Sequence, residues 1–168
     1  FLDFLVANKL PKKIGRINLC HALNTKGGVH SEFTIMKEAE NCYYLVSAGA
    51  NLRLDHDWIQ KWMPTDGSVI FEDLTNSTGV LVVAGPKARD LMQKVSTDDF
   101  SNENFKWLTA KKVNVGYAPV NAMRVNFVGE LGWELHHPIE YQNHIVDKLM
   151  DAGKDLGIKP FGRRAMTS

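Results

Sequence analysis

The chain has 168 residues, 44% hydrophobic and 23% charged, the balance of a soluble globular fold of one domain or part of a larger one. A chain of this length buries roughly 70% of its unfolded surface. Its net charge of +1, with no basic cluster beyond Pro11-Lys12-Lys13 or Lys111-Lys112, excludes a dominant nucleic-acid role, and no run approaches transmembrane length or opens the chain as a signal peptide.

In chain order, residues 1–8 form the end of a helix, with Phe1, Leu2, Leu5 and Val6 at helical spacing. Lys9-Leu10-Pro11 closes it, because the residue before a proline avoids the helical region. Ile17–Leu23 alternates toward a strand, and Asn24-Thr25-Lys26-Gly27-Gly28 is a strong turn signal. Residues 29–36 and 42–47 are expected as strands joined by the polar residues 38–41. Residues 50–63 place Leu52, Leu54, Trp58, Ile59 and Trp62 on one helical face, broken by Pro64-Thr65-Asp66-Gly67. Residues 69–74 and 79–84 are strand-like, and Gly85-Pro86 opens a helix to about Val95. Residues 102–108 are expected as a short helix, and 111–115 and 122–127 as strands. Pro138 opens the last clear helix, with Ile139, Ile145, Val146, Leu149 and Met150 at core spacing and Gly153 near its end. Short hairpins between many strands favour α+β with mostly antiparallel sheets and packed helices. The absence of an initial methionine suggests a piece of a longer polypeptide, so residues 1–168 are expected as a partial domain.

The chemistry concentrates in residues 124–135, RVNFVGELGWEL. Residues 124–127 alternate, 128–131 carry a glycine, and 132–135 resume as a strand, a hairpin-like unit bearing Glu130 and Glu134. Glu134, between Trp133 and Leu135, either faces solvent or points into a pocket beside aromatic walls. In the pocket it would be an acceptor-only group suited to a ligand with adjacent N–H donors. Glu32 follows the double glycine by four residues at the start of a strand, and by pattern alone is an exposed strand carboxylate. Cys20 and Cys42 lack metal-ligand spacing and are expected as small buried hydrophobes of a reducing compartment, cytoplasm or mitochondrial matrix. The adjacent His136 and His137 point to opposite faces of a strand and cannot share one metal ion. There is no G-x-G-x-x-G for a dinucleotide.

VGELGWEL resembles the signature of the glycine-cleavage T-protein (aminomethyltransferase) superfamily. Its tryptophan is most similar to the branch fused to dimethylglycine and sarcosine dehydrogenases. FLDFLVANKLPKKIGRI, KGGVHSEFTI, LVSAGANLRLDHDWI, VLVVAGPKARDLMQKV and GIKPFGRRAM resemble that family's other segments, in the expected order. The resemblance implies an aminomethyltransferase folate-binding fold and tetrahydrofolate as the one-carbon acceptor. It implies a flavin-binding dehydrogenase module as partner, with FAD on that separate module.

Glu32 aligns with an acidic residue, usually aspartate, that acts on the folate amine, so the resemblance implies a proton-handling, catalytic role. Glu134 aligns with the glutamate that holds the pterin ring, and Glu130 is expected to hold the loop by accepting backbone N–H bonds. Phe127 stands where the family often has tyrosine; its ring could wall the ligand without the phenol hydrogen bond. Ser47 lies where relatives bring backbone close to the ligand. Met166 replaces an arginine of the free T-protein, leaving the glutamate tail of folate to Arg163, to Arg164 or to no protein group.

The leading expectation is therefore a one-carbon transfer module of a dimethylglycine or sarcosine dehydrogenase-like protein. The alternatives are a free aminomethyltransferase, a folate-dependent demethylase, and a non-catalytic folate-binding or structural domain.

Overall fold

The computed structural model describes residues 1–166, and the chain divides into two compact units, Phe1–Glu72 and Asp73–Ser168. In the first, α1 (Leu2–Leu5) precedes a three-stranded antiparallel sheet in the order β1 (Ile17–Leu23), β2 (Val29–Ala39), β3 (Cys42–Val46), followed by α2 (Leu52–Trp62). Successive side chains of a strand face opposite sides. One side of this sheet carries Cys20, Ala22, Phe33 and Ile35, which pack with Leu5, Val6 and Ile59 into the core. Full burial of a side chain such as Phe33 contributes about 1.5–3 kcal/mol. The other side carries Leu19, His21, Glu32 and Thr34, in register across the β1–β2 pair. Leu19 remains half exposed there.

The register is set by the turn after β1. Asn24 Oδ1 accepts the N–H groups of Lys26 and Gly28 at 2.9 and 3.1 Å, and Asn24 N–H donates to the Gly28 carbonyl at 2.9 Å. Gly27 supplies the left-handed backbone this turn needs (φ +79°). A slip of one residue would turn Glu32 into the core, so this turn determines which way the candidate base faces.

The second unit holds a four-stranded antiparallel sheet in the order β4 (Thr78–Ala84), β7 (Gly132–Pro138), β6 (Ala118–Met123), β5 (Ala110–Val115). Helices α3 (Ala88–Val95) and α4 (Gln142–Ala152) pack with one face of it around Val83, Leu91, Met92, Trp133, Leu135 and Ile145. The short α5 (Arg163–Met166) follows. The expected α+β architecture with antiparallel sheets is what forms.

Several local expectations are corrected. Residues 69–74 pair with no strand. Residues 102–108 form turns rather than a helix, with Leu108 in a left-handed conformation (φ 56°) that interrupts helical geometry. The strand expected over 122–127 ends at Met123. Residues 124–131 form a loop because Asn126 claims local backbone: its Oδ1 accepts from Val128 N–H (3.0 Å) and its Nδ2 donates to the Glu130 carbonyl (2.6 Å). On α2 the buried stripe runs through Asp55 and Ile59, leaving Leu52 and Leu54 exposed. Cys20 is buried, and that burial raises its thiol above the ordinary value, whereas Cys42, near the β2–β3 turn, is exposed.

Candidate functional site

Each of the two predicted carboxylates lies on the face of its sheet opposite the core described for that unit, and each meets one imidazole. Glu32 stands directly opposite His21 in the β1–β2 register. Glu32 Oε2 lies 2.9 Å from His21 Nε2, with side-chain exposures of 57% and 30%. The imidazole is held from behind by Asn8, in the segment after α1. Asn8 Oδ1 accepts the His21 backbone N–H at 2.8 Å and lies 3.4 Å from Nδ1. That segment is itself fastened along β1, through Ala7 N–H to the His21 carbonyl (2.9 Å) and Asn18 Nδ2 to the Lys9 carbonyl (2.8 Å). Ser47 directly follows β3, whose last residue, Val46, pairs with Thr34. Ser47 and Glu32 therefore belong to the same end of one sheet.

Glu134 sits on β7 in the second unit, opposite Val82 on one neighbouring strand and Met123 on the other. Its side chain is 19% exposed, and its Oε2 lies 3.2 Å from His136 Nε2 on the same face of the strand. Beyond that contact, no hydrogen bond of the Glu134 side chain is found among the described residues. Trp133 does not wall this carboxylate. Alternation sends it into the core, where it packs edge-on against Phe100 and Phe105. His137 likewise points away from His136, within hydrogen-bond distance of the Leu135 carbonyl (2.9 Å) and the Gln142 side chain (2.7 Å). Among the described residues, no three His, Cys, Asp or Glu side chains gather to hold a metal ion.

The local geometry explains why glycine precedes Trp133. A Cβ at Gly132 would stand 2.4 Å from the Val83 carbonyl oxygen and 2.7 Å from Asn126 Nδ2. The bare backbone there lets β7 enter the sheet directly from the loop. Phe127, in that loop, is 72% exposed. It lines a cleft of about 450 Å³ with Trp107, Arg124, Asn126 and Leu131; Glu134 lies outside this lining. Glu130 contributes its carbonyl to Asn126 rather than holding the loop through its carboxylate.

Arg124 is bound to the Phe105 carbonyl (2.5 Å) and to Asn102 Oδ1 (2.7 Å). Its guanidinium and that of Arg89 lie over the Trp133 ring, 5.8 and 5.4 Å from its centroid. Burial, and then the charge of Arg89, lower the Arg124 value from its ordinary one. Arg163 and Arg164 are exposed on α5.

Sequence reasoning named the two carboxylates and missed both imidazoles and Asn8. The signals were present: pairing outward from the 24–28 turn brings His21 opposite Glu32, and the spacing of two puts Glu134 and His136 on one face.

The family model described as the GCVT N-terminal domain matches residues 1–168. The chain is 38% identical over 168 residues to mitochondrial dimethylglycine dehydrogenase of Homo sapiens, covering 99% of this chain and 19% of that protein. It thus spans about a fifth of the length of that relative. Among solved structures, the heterotetrameric sarcosine oxidase from Corynebacterium sp. U-96 superposes with a TM-score of 0.64 at 18% identity, covering 91% of this chain and 71% of that one. The glycine cleavage system aminomethyltransferase T from Bartonella henselae gives a TM-score of 0.65 at 20% identity, covering 82% and 36%. These two likenesses show a shared fold.

Proposed function

The chain belongs to the GCVT N-terminal domain family, and from that membership we propose that it is a tetrahydrofolate-binding module that accepts a one-carbon unit. The observation that carries the reading is the half-filled carboxylate of Glu134. It is mostly buried between Val82 and Met123, has one imidazole on Oε2, and has no side-chain partner on Oε1 among the described residues. An acceptor in low-dielectric surroundings favours a ligand that brings N–H donors, and a pterin edge offers adjacent ones. Charge-assisted hydrogen bonds of this kind are roughly twice as strong as neutral ones.

Glu32 has the opposite character. Exposed, oriented by His21 and free at its other oxygen, it suits a group that takes a proton from the folate amine as that nitrogen bonds to carbon. Ser47, at the same end of the first sheet, lines the approach to that carboxylate, and Phe127 offers an exposed ring to the ligand. A flavin group belongs to a separate dehydrogenase module, where it supplies oxidation of an N-methyl amine to an iminium. The 38% identity to a mitochondrial dimethylglycine dehydrogenase supports that partner and a matrix location, and the likeness to a bacterial aminomethyltransferase supports a cytoplasmic one.

Calorimetric titration with tetrahydrofolate under anaerobic conditions tests the reading. The expected result is saturable binding that Glu134→Gln weakens by about 1.5–3 kcal/mol. A folded protein that shows no binding would remove the proposal.

A further inference from the structure

The Asn8–His21–Glu32 chain permits an inference that rests on the role proposed for Glu32 and extends it. The amide of Asn8 can be oriented without ambiguity. The His21 backbone N–H is a donor only, so the Asn8 atom 2.8 Å from it is the carbonyl oxygen, an acceptor only. That same oxygen faces His21 Nδ1 at 3.4 Å. The other ring nitrogen, Nε2, faces a carboxylate oxygen at 2.9 Å. Two lone pairs at that distance would repel, so a hydrogen lies in that contact.

We propose that His21 is the positioning residue for Glu32, its strand held by Asn8 so that its Nε2–H binds Oε2 and leaves Oε1 aimed outward as the base. The geometry supports this in three further ways. His21 and Glu32 are directly opposed in the β1–β2 register, so backbone pairing sets their separation. Asn8 is fastened by its neighbours to the edge of β1, which gives the ring a fixed stop. A 57% exposed glutamate would otherwise sample many rotamers, and a single N–H donor on one oxygen selects one.

The step balances simply. The folate nitrogen forms its bond to the iminium carbon, and the C=N π pair moves to the amine nitrogen, giving an aminal. The N–H bond of the folate nitrogen breaks, and its proton goes to Glu32 Oε1. His21 keeps its Nε2 hydrogen throughout, and the exposed carboxyl returns the new proton to water.

The first test is ¹⁵N–¹H NMR of the imidazole in the ligand-free protein at neutral pH. A hydrogen on His21 Nε2 is expected, with Asn8→Ala and Glu32→Gln each shifting its signal. A ring bearing hydrogen on Nδ1 alone would overturn the proposal. The second test is carbon transfer from an N-methyl amine to tetrahydrofolate by the protein with its flavin module. His21→Phe should lower kcat at least ~10-fold with the tetrahydrofolate Kd unchanged, and His21→Gln, which retains an N–H donor, should restore part of it. Unchanged transfer in His21→Phe, alongside a large loss in Glu32→Gln, would sink the positioning role and leave Glu32 standing. Unchanged transfer in Glu32→Gln would remove the underlying reading and this inference with it.

Discussion

The two carboxylate–imidazole pairs of this chain use the same chemical groups in contrasting surroundings. His21 and Glu32 meet across two strands, with their side chains 30% and 57% exposed. His136 and Glu134 meet along one strand, 2% and 19% exposed. Burial strengthens each hydrogen bond that a carboxylate makes and raises the cost of leaving it unpaired, which suits recognition of a fixed donor pattern. Exposure lowers the value of each bond but lets protons reach water, which suits proton transfer. On the proposed function, proton handling falls to Glu32 and ligand recognition to Glu134.

That contrast can be broken by substitution. The largest effect is expected for Glu32→Gln, which should lower the rate of carbon transfer roughly 10²–10⁴-fold, as loss of a general base does. Its thermal stability should hardly change, because an exposed carboxylate–imidazole contact contributes about 0–1 kcal/mol. Next, Trp133→Ala removes a fully buried ring from the second unit and should cost about 3–5 kcal/mol in denaturant unfolding. Gly132→Ala forces a Cβ against the Val83 carbonyl and should cost about 1–3 kcal/mol by overpacking. Retention of full stability by that variant would show that β7 enters the sheet more loosely than the structure has it.

The smallest effect concerns pH. Asp99 is held below its ordinary value first by the Ser101 N–H, then by the Ser101 and Asn104 side chains. A depressed carboxylate stabilises the fold above its unfolded value, and the stabilisation is lost as pH falls through the folded value. Asp99→Asn should therefore flatten the decline of the thermal midpoint below about pH 4.

Much of the fold was legible because its signals are local. Ile17–Leu23 alternates, and the turn at residues 24–28 has the amide and glycines such a turn needs, so strand and bend emerge as read. Residues 124–127 also alternate, yet form loop, since Asn126 offers the backbone a better local partner than a strand does. Residues 102–108 lacked any sign that Leu108 would turn left-handed. By pattern alone both candidate carboxylates suited exposed strand positions, and the family resemblance singled them out. Their imidazoles required register and strand face, and Asn8 required tertiary contact across 13 residues of sequence.

The most direct measurement is a pair of anaerobic calorimetric titrations with tetrahydrofolate, one on Glu32→Gln and one on Glu134→Gln, against the unaltered protein. The division of labour predicts an unchanged Kd for Glu32→Gln and a Kd at least ~10-fold weaker for Glu134→Gln, the lower end of a charge-assisted bond. Equal losses in both variants, or full affinity in Glu134→Gln, would contradict it.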